Sequence, residues 1–134
     1  MGGYQGKILD VNLSSGNIKI KIISQNILRE YIGGSGLSAK ILYEGTNEKT
    51  DPLGPENLLI IHDWSFYGYK IPSSGRHHIT AKSPLTGIFG EGDAGGRWGI
   101  ELKKAGFDGL VIQGKAEKPV YIIINNKDIK NIGC

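Results

Sequence analysis

Alternating hydrophobic and polar positions near the start of the chain predict a β-hairpin. The segment KILDVNLSSGNIKIKII occupies residues 7–23, and its second half alternates strictly at Ile18, Ile20 and Ile22. A period of two is typical of a strand with one buried face, and SSGN between the halves supplies turn residues. The segment therefore predicts two antiparallel strands joined by a tight turn.

The hydrophobic spacing becomes helical from Gln25 onwards. Apolar residues recur on one helical face up to residue 32, GGSG interrupts them at residues 33–36, and LSAKILYEG resumes the pattern up to Gly45. A glycine inside a helix costs about 1 kcal/mol relative to alanine. Two short helices joined at a glycine loop are therefore predicted rather than one long helix.

Short apolar runs separated by turn signals fill the rest of the chain. They predict a buried strand LLIIHD after the proline turn DPLGPEN, strands near residues 77–82 and 87–89, a helix over residues 94–106 ended by Gly106, and strands over residues 108–113 and 119–125. The pattern predicts an α+β fold of mostly antiparallel β-sheets with two or three short helices. We expect residues 1–134 to form a single domain.

Composition and charge exclude several classes of function. The chain has 134 residues, 39% of them hydrophobic, and a formal net charge of +3 that is spread along the sequence. Nucleic-acid binding normally needs a concentrated basic surface, and no apolar run approaches the roughly 20 residues that span a bilayer. With no secretory signal, we expect a cytoplasmic protein that binds neither nucleic acid nor membrane.

The 21 glycines are about twice the usual share of roughly 7%. Eight of them lie in three loops, at residues 33–36, 73–76 and 90–96, and the last contains the spacing GxGxxG at Gly90, Gly92 and Gly95. A dinucleotide-binding loop would follow a long apolar parallel strand, whereas KSPLTGIF precedes this one. An anion cradle, with free N–H groups at a helix start and the guanidinium of Arg76, is favoured. Hairpin turns with Arg76 in a surface ion pair remain the alternative.

Histidine and cysteine offer little sign of a catalytic or metal centre. His62, His77 and His78 are the only histidines, and no carboxylate stands at metal-ligand spacing with them on a recognisable helix. The adjacent pair predicts one inward and one outward side chain on a strand. Cys134 is the only cysteine, so this chain alone provides no disulfide and no cysteine-ligated cluster.

Five motifs carry a resemblance that runs nearly the whole chain. They are GKILDVNLSSGNIKI, YIGGSGL, DPLGPENLLII, PSSGRHHITAKSPLTG and GEGDAGGRWGIELKKAGFDGLVIQGKAEKPVYI. Their order and spacing are similar to those of the N-terminal domain of the tungsten-containing aldehyde ferredoxin oxidoreductase family. This series is far more specific than the GxGxxG spacing alone.

The resemblance implies a base on which a tungstopterin rests, a tungsten or molybdenum ion held by two pterins whose phosphates are bridged by magnesium. It implies that Arg76 approaches the pterin phosphates and that Asp93 supplies a magnesium ligand through its main-chain carbonyl. The cofactor-binding residues implied in this way are Arg76, Asp93, Ala94, Gly95 and Gly96. No catalytic residue is expected within the chain.

The chain departs from the family pattern at three places. Asp93 stands where asparagine is usual, and Ser35 stands where arginine is often found inside GGxGL. HDWSFYGYK at residues 62–70 replaces a Gly-Pro-Leu-Thr-Gly segment. Its aromatic side chains suit either packing over a pterin ring or a hydrophobic patch for a partner; they are Trp64, Phe66, Tyr67 and Tyr69.

The resemblance implies the N-terminal tungstopterin-binding portion or small subunit of an oxidoreductase of anaerobic metabolism, which converts aldehydes to carboxylic acids and passes electrons to ferredoxin. The iron–sulfur cluster and the acid–base residues would come from the remainder of the enzyme or a larger catalytic subunit, so this chain alone is expected to be catalytically incomplete. A homo-oligomer is compatible with this interpretation. The alternative is a cofactor-free binding or regulatory protein that retains the fold.

Overall fold

Eight strands and three helices are found in the described parts of the chain, residues 3–63, 75–126 and 128–133 of a computed structural model. In chain order they are β1 (Lys7–Asn12), β2 (Asn17–Ile22), α1 (Gln25–Tyr31), α2 (Gly34–Gly45), β3 (Leu58–Asp63), β4 (Arg76–Lys82), β5 (Phe89–Gly95), α3 (Trp98–Lys104), β6 (Gly109–Gln113), β7 (Val120–Asn125) and β8 (Asp128–Gly133).

Six of these strands form one mixed sheet in the order β2-β1-β6-β3-β4-β5. The pair β1 and β6 is parallel, and every other neighbouring pair in the sheet is antiparallel. β7 and β8 form a separate antiparallel hairpin. The α+β class with mostly antiparallel sheets is therefore confirmed, and β5 is an edge strand.

Both faces of the sheet are covered, because successive residues of a strand point to opposite sides. Helices α1 and α2 pack on one face, and the buried residues there are Ile8, Leu28, Leu37, Leu42, Leu58, Ile60 and Val111. Helix α3 and the β7–β8 hairpin pack on the other face, around Leu9, Val11, Leu102, Phe107 and Leu110. Each such side chain contributes about 1.5–3 kcal/mol on burial. The face that carries α1 and α2 is called the helix-pair face below.

The two predicted helices are joined by a sharper break than the GGSG motif suggested. Ser24 caps α1 by accepting a hydrogen bond from the Ile27 amide, and the chain turns at Ile32 and Gly33, both with positive φ. Residues 34–36 already belong to α2. A Cβ atom on Gly36 would lie 2.4 Å from the Tyr31 carbonyl oxygen, so glycine there allows close helix packing.

Two element boundaries differ from the sequence predictions, and one strand was not predicted. The strand expected near residues 87–89 starts at Phe89 and continues to Gly95, the helix expected from residue 94 begins at Trp98, and β8 was not predicted. Pairing with β4 extends β5 through a glycine-rich segment of low strand propensity. Gly106, with φ of +97°, ends α3 as expected. No helix in the described ranges is long and apolar enough to cross a membrane.

Candidate functional site

The residues singled out by the sequence lie together at one end of the β4–β5 pair. Arg76 is the first residue of β4 and Gly95 the last of β5, and the two are directly opposite in the register. Ala94 is opposite His77, and Asp93 is opposite His78. Since β5 is an edge strand, alternate main-chain groups on it point away from the sheet. This arrangement places carbonyls and amides of β5 beside an exposed guanidinium.

The surface around these residues is open because glycines replace side chains. A Cβ atom added to Gly92 or Gly96 would meet no heavy atom within 4 Å, and one added to Gly95 would meet only the Gly75 carbonyl oxygen at 3.9 Å. Arg76 is exposed beside them. A ligand can therefore contact the main chain here. The planar guanidinium of Arg76 lies close by and can donate hydrogen bonds to an anionic group.

The expectation that Gly95 and Gly96 begin the following helix is wrong. Gly95 ends β5, Gly96 has φ of +107°, and Arg97 precedes α3 without a side-chain cap. Trp98 then opens the helix and its ring packs on His77, with the ring centroids 5.2 Å apart. The glycine motif therefore lies in an antiparallel edge strand and not in the strand-to-helix turn that a dinucleotide-binding loop requires.

A chain of polar contacts links α2 to this site. The Ser35 hydroxyl donates to a Glu91 carboxylate oxygen at 2.7 Å, and the same oxygen lies 3.2 Å from His78 Nε2 at an angle outside hydrogen bonding. His78 Nδ1 lies 2.9 Å from Asp93 Oδ1. By strand alternation, the side chains of Glu91, His78 and Asp93 share the helix-pair face.

This contact chain was not foreseen from the sequence. The histidine pair was expected to place one side chain inward and one outward; His77 and His78 do face opposite sides, but both are buried. The reason is that elements cover both faces of β4. The available signal was that Glu91 and Asp93 are two residues apart, so their side chains face the same side of a strand. The β4–β5 register is needed to show that His78 faces that side as well.

The GGSG motif is held beside the site by a buried histidine. His62 on β3 is opposite His78, and its Nδ1 lies 3.2 Å from the Gly34 amide nitrogen and 2.7 Å from the Asp63 carbonyl oxygen. One nitrogen can accept from the amide or donate to the carbonyl, so each tautomer makes one of the two bonds. Burial lowers the pKa of His62 from 6.5 to about 4, and the ring is neutral at pH 7.

A second group of buried charges lies on the opposite face at the same end of the sheet. The Asp108 carboxylate accepts from the amides of Gln5 and Gly6 at 2.9 and 2.6 Å, and Lys103 Nζ lies 3.1 Å from it. Asp63 is fully buried. Burial raises the pKa of Asp63 from 3.8 to about 7, against the attraction of Lys103. These groups fix the start of the chain and α3 to the sheet.

Within the described residues, no three histidine, cysteine, aspartate or glutamate side chains are arranged to hold a metal ion. A magnesium ion here would need main-chain carbonyls and ligand phosphates, and Mg²⁺ commonly takes few protein ligands besides substrate phosphates and water. The open glycines, the exposed Arg76 and the edge-strand carbonyls fit such a group. The aromatic residues Trp64, Phe66, Tyr67 and Tyr69, like Cys134, lie outside the described residues.

The comparisons with known proteins agree on one class, the N-terminal domain of the aldehyde ferredoxin oxidoreductase family. The family model for the aldehyde ferredoxin oxidoreductase N-terminal domain matches residues 8–131. The chain is 42% identical over 130 residues to the tungsten-containing aldehyde ferredoxin oxidoreductase of Pyrococcus furiosus, covering 97% of this chain and 22% of that protein. It is 40% identical over 134 residues to the WOR-like subunit of an aliphatic sulfonate oxidoreductase from Pyrococcus furiosus, covering 97% and 21%.

A solved structure has the same fold. It is the active-site complex of benzoyl coenzyme A reductase with 1,5-dienoyl-CoA, matched with a TM-score of 0.95 and 32% identity over 98% of this chain and 20% of that one. The chain thus spans about a fifth of the length of these relatives. It belongs to the aldehyde ferredoxin oxidoreductase family and corresponds to the family's N-terminal domain.

Proposed function

We propose that this chain is the tungstopterin-binding N-terminal part of an aldehyde:ferredoxin oxidoreductase-type enzyme. The observation that carries the proposal is the open end of the β4–β5 pair, where Arg76 lies opposite Gly95 beside the glycine-rich end of an edge strand. The family match and the presence of tungsten in the names of the similar enzymes support a metal–pterin ligand for this surface.

The assembled enzyme would oxidise an aldehyde to a carboxylic acid and pass two electrons to ferredoxin. When bound, the pterin-held metal supplies the redox chemistry. The residues of this chain bind and orient: the Arg76 guanidinium donates to phosphate oxygens, and the Asp93 carbonyl with Ala94, Gly95 and Gly96 lines the phosphate–magnesium group. The iron–sulfur cluster and substrate-contacting residues are assigned to the other four fifths of the enzyme.

The names of the relatives support a cofactor role rather than a role in choosing the substrate. They name an aldehyde, an aliphatic sulfonate and a benzoyl coenzyme A derivative. The domain keeps its fold across these differences, with a TM-score of 0.95 for the last. A fold that is kept among proteins named for such different substrates supports a role in binding a cofactor rather than in selecting the substrate.

Substituting Arg76 tests this proposal in the complete enzyme that contains this domain. We expect Arg76→Ala to weaken cofactor retention about ten- to a hundredfold, since a hydrogen bond to a charged group contributes about 1.5–3 kcal/mol. Tungsten and magnesium per protein, measured by elemental analysis, and released pterin, measured by fluorescence, report the loss. Arg76→Lys should restore only part of it because lysine keeps the charge without the planar fork.

Arg29→Ala is the matched control, because Arg29 is an exposed arginine on α1. It should leave the tungsten and magnesium contents unchanged. Unaltered tungsten in the folded Arg76→Ala enzyme would exclude the proposed role of this arginine. A complete enzyme purified without metal and pterin from cells that make the cofactor would favour the cofactor-free binding protein instead.

A further inference from the structure

A groove lies at the end of the β4–β5 pair opposite the proposed cofactor site. It has a volume of about 800 Å³ and runs between α2 and the turn that joins β4 to β5. Its apolar lining comes from Ala39, Leu42 and Tyr43 of α2 and from Ile88 and Phe89 at the turn. Tyr43 is 87% exposed and Ile88 is 68% exposed. Large apolar side chains grouped at such exposure mark a contact surface, which is called the apolar groove below.

Hydrogen bonds fix both walls of the apolar groove. On one side, the Lys82 ammonium donates to the carbonyl oxygens of Asn47 and Glu48 at 3.0 and 2.9 Å and so holds the loop that follows α2. On the other side, the Ser83 amide donates to the Ile88 carbonyl oxygen at 2.8 Å and closes the β4–β5 turn. The groove is therefore formed in advance, and an occupant would pay little to order it.

The charges in the apolar groove indicate the chemistry of its occupant. Of its two charged lining residues, Lys82 is buried and its ammonium is bound by main-chain carbonyl oxygens, whereas Glu48 is exposed at the rim. The accessible charge of the groove is therefore negative. A complementary segment would place apolar side chains between Tyr43 and Ile88 and a lysine or arginine beside Glu48.

The size of the apolar groove indicates where that segment comes from. Ten residues line it, whereas a stable interface between separate proteins uses about 20–30 residues on each side. A contact within one polypeptide needs less area, because the covalent connection supplies a high effective concentration. This chain spans about a fifth of each relative, so the other four fifths of such an enzyme can supply the segment.

We propose that the apolar groove binds a segment from the other four fifths of the enzyme, one with apolar side chains and a lysine or arginine beside them. This inference rests on the proposed function, which makes the chain one part of a larger enzyme. The contact fixes the rest of the enzyme to this domain at one end of the β4–β5 pair. It leaves the glycine-rich end of β5 free for the cofactor.

A photocrosslinking residue in place of Tyr43 tests the proposal in the complete enzyme that contains this domain. Benzoylphenylalanine is an aromatic residue of similar shape, and an exposed helix position tolerates such a change. On illumination it forms a bond to C–H groups that it contacts. We expect a crosslink within the same polypeptide, to an apolar segment outside residues 1–134 that carries a lysine or arginine, as identified by mass spectrometry of the digested protein.

A second substitution shows whether the crosslink reports on the apolar groove. Added to the crosslinking enzyme, Ile88→Glu should lower the crosslink yield about tenfold, because a carboxylate would have to enter an apolar contact. Ile22→Glu is the matched control: Ile22 is 71% exposed, close to the 68% of Ile88, but lies on β2 at the other edge of the sheet. It should leave the yield unchanged, and equal losses in the two variants would overturn the inference.

The remaining outcomes separate this inference from the proposed function. A crosslink to a second copy of the chain or to another protein, crosslinks confined to residues 1–134, or no crosslink would each overturn the inference, even in an enzyme that contains tungsten and pterin. An enzyme that forms the expected crosslink within its own chain but is purified without tungsten and pterin from cells that make the cofactor would instead refute the proposed function and leave the docking segment in place.

Discussion

At the scale of single residues, the end of β3 places two buried titratable groups side by side with opposite pKa shifts. Burial lowers the pKa of His62 to about 4 and raises that of Asp63 to about 7. Both shifts favour the neutral form, as expected for groups removed from water. Their effects on stability oppose one another between about pH 4 and 6.5, so the pH profile of the wild-type chain alone does not separate them.

Asp63→Asn isolates the aspartate contribution. The folded-state pKa of about 7 lies above the ordinary 3.8, so the stability that protonated Asp63 provides is present below about pH 4 and is lost as the pH rises through 7. The variant should therefore gain stability relative to wild type between pH 5 and pH 8, by up to about 3 kcal/mol, because about two pKa units of the shift lie within this interval. Urea denaturation of both proteins at the two pH values checks this, and the His62 contribution cancels in the difference. A variant that is equally destabilised at both pH values would contradict the raised pKa.

At the scale of elements, one buried lysine fixes the segment that follows α2. Lys82 is 8% exposed, and its ammonium donates to the carbonyl oxygens of Asn47, Glu48 and Thr50 at 3.0, 2.9 and 2.8 Å. The sequence placed this lysine at the end of a strand but gave no sign of its partners. Three carbonyls converge on it because the chain turns tightly between α2 and β3.

Lys82→Met should therefore destabilise the fold more than the loss of an ordinary lysine. Methionine fills a similar volume but leaves the buried Thr50 carbonyl and two partly buried carbonyls without this donor, and we expect a loss of about 2–4 kcal/mol. Lys104→Met is the control, because Lys104 is exposed and makes a surface ion pair with Glu101, worth at most about 1 kcal/mol. Chemical denaturation measures both. Equal losses would show that the three carbonyls find other donors.

Sequence patterns predicted the elements whose side chains alternate or repeat clearly. Several elements were found near their expected positions because their apolar residues recur at the spacing typical of a strand or a helix. They include β1, β2, β3, β4, α1 and α2. β5 was mostly missed, since glycine residues show no alternation and the strand depends on pairing with β4. The contact chain through His78 was missed for the same reason: it depends on a register that no local pattern encodes.

At the scale of the whole molecule, the sheet brings distant loops to one edge. The helix α2 that starts at Gly34 meets β5 through Ser35 and Glu91, and β4 starts beside the end of β5. The family resemblance alone implied which residues form the proposed cofactor site. Their closeness follows from topology, because the antiparallel pairing of β4 with β5 brings the start of one strand to the end of the other.

Gly95→Val tests whether this edge contacts a ligand in the complete enzyme. Gly95 lacks a positive φ, and its added Cβ atom would have only a 3.9 Å contact with the Gly75 carbonyl oxygen. Valine also suits a strand, so the melting temperature should be nearly unchanged. Its side chain would nevertheless cover the main chain opposite Arg76, and we expect the tungsten and magnesium contents to fall at least about tenfold. Thr86→Val, in the exposed turn before β5, is the control and should leave both contents unchanged. A folded Gly95→Val enzyme with full metal content would place the cofactor elsewhere, because a branched side chain and a closely approaching phosphate group cannot occupy the same space.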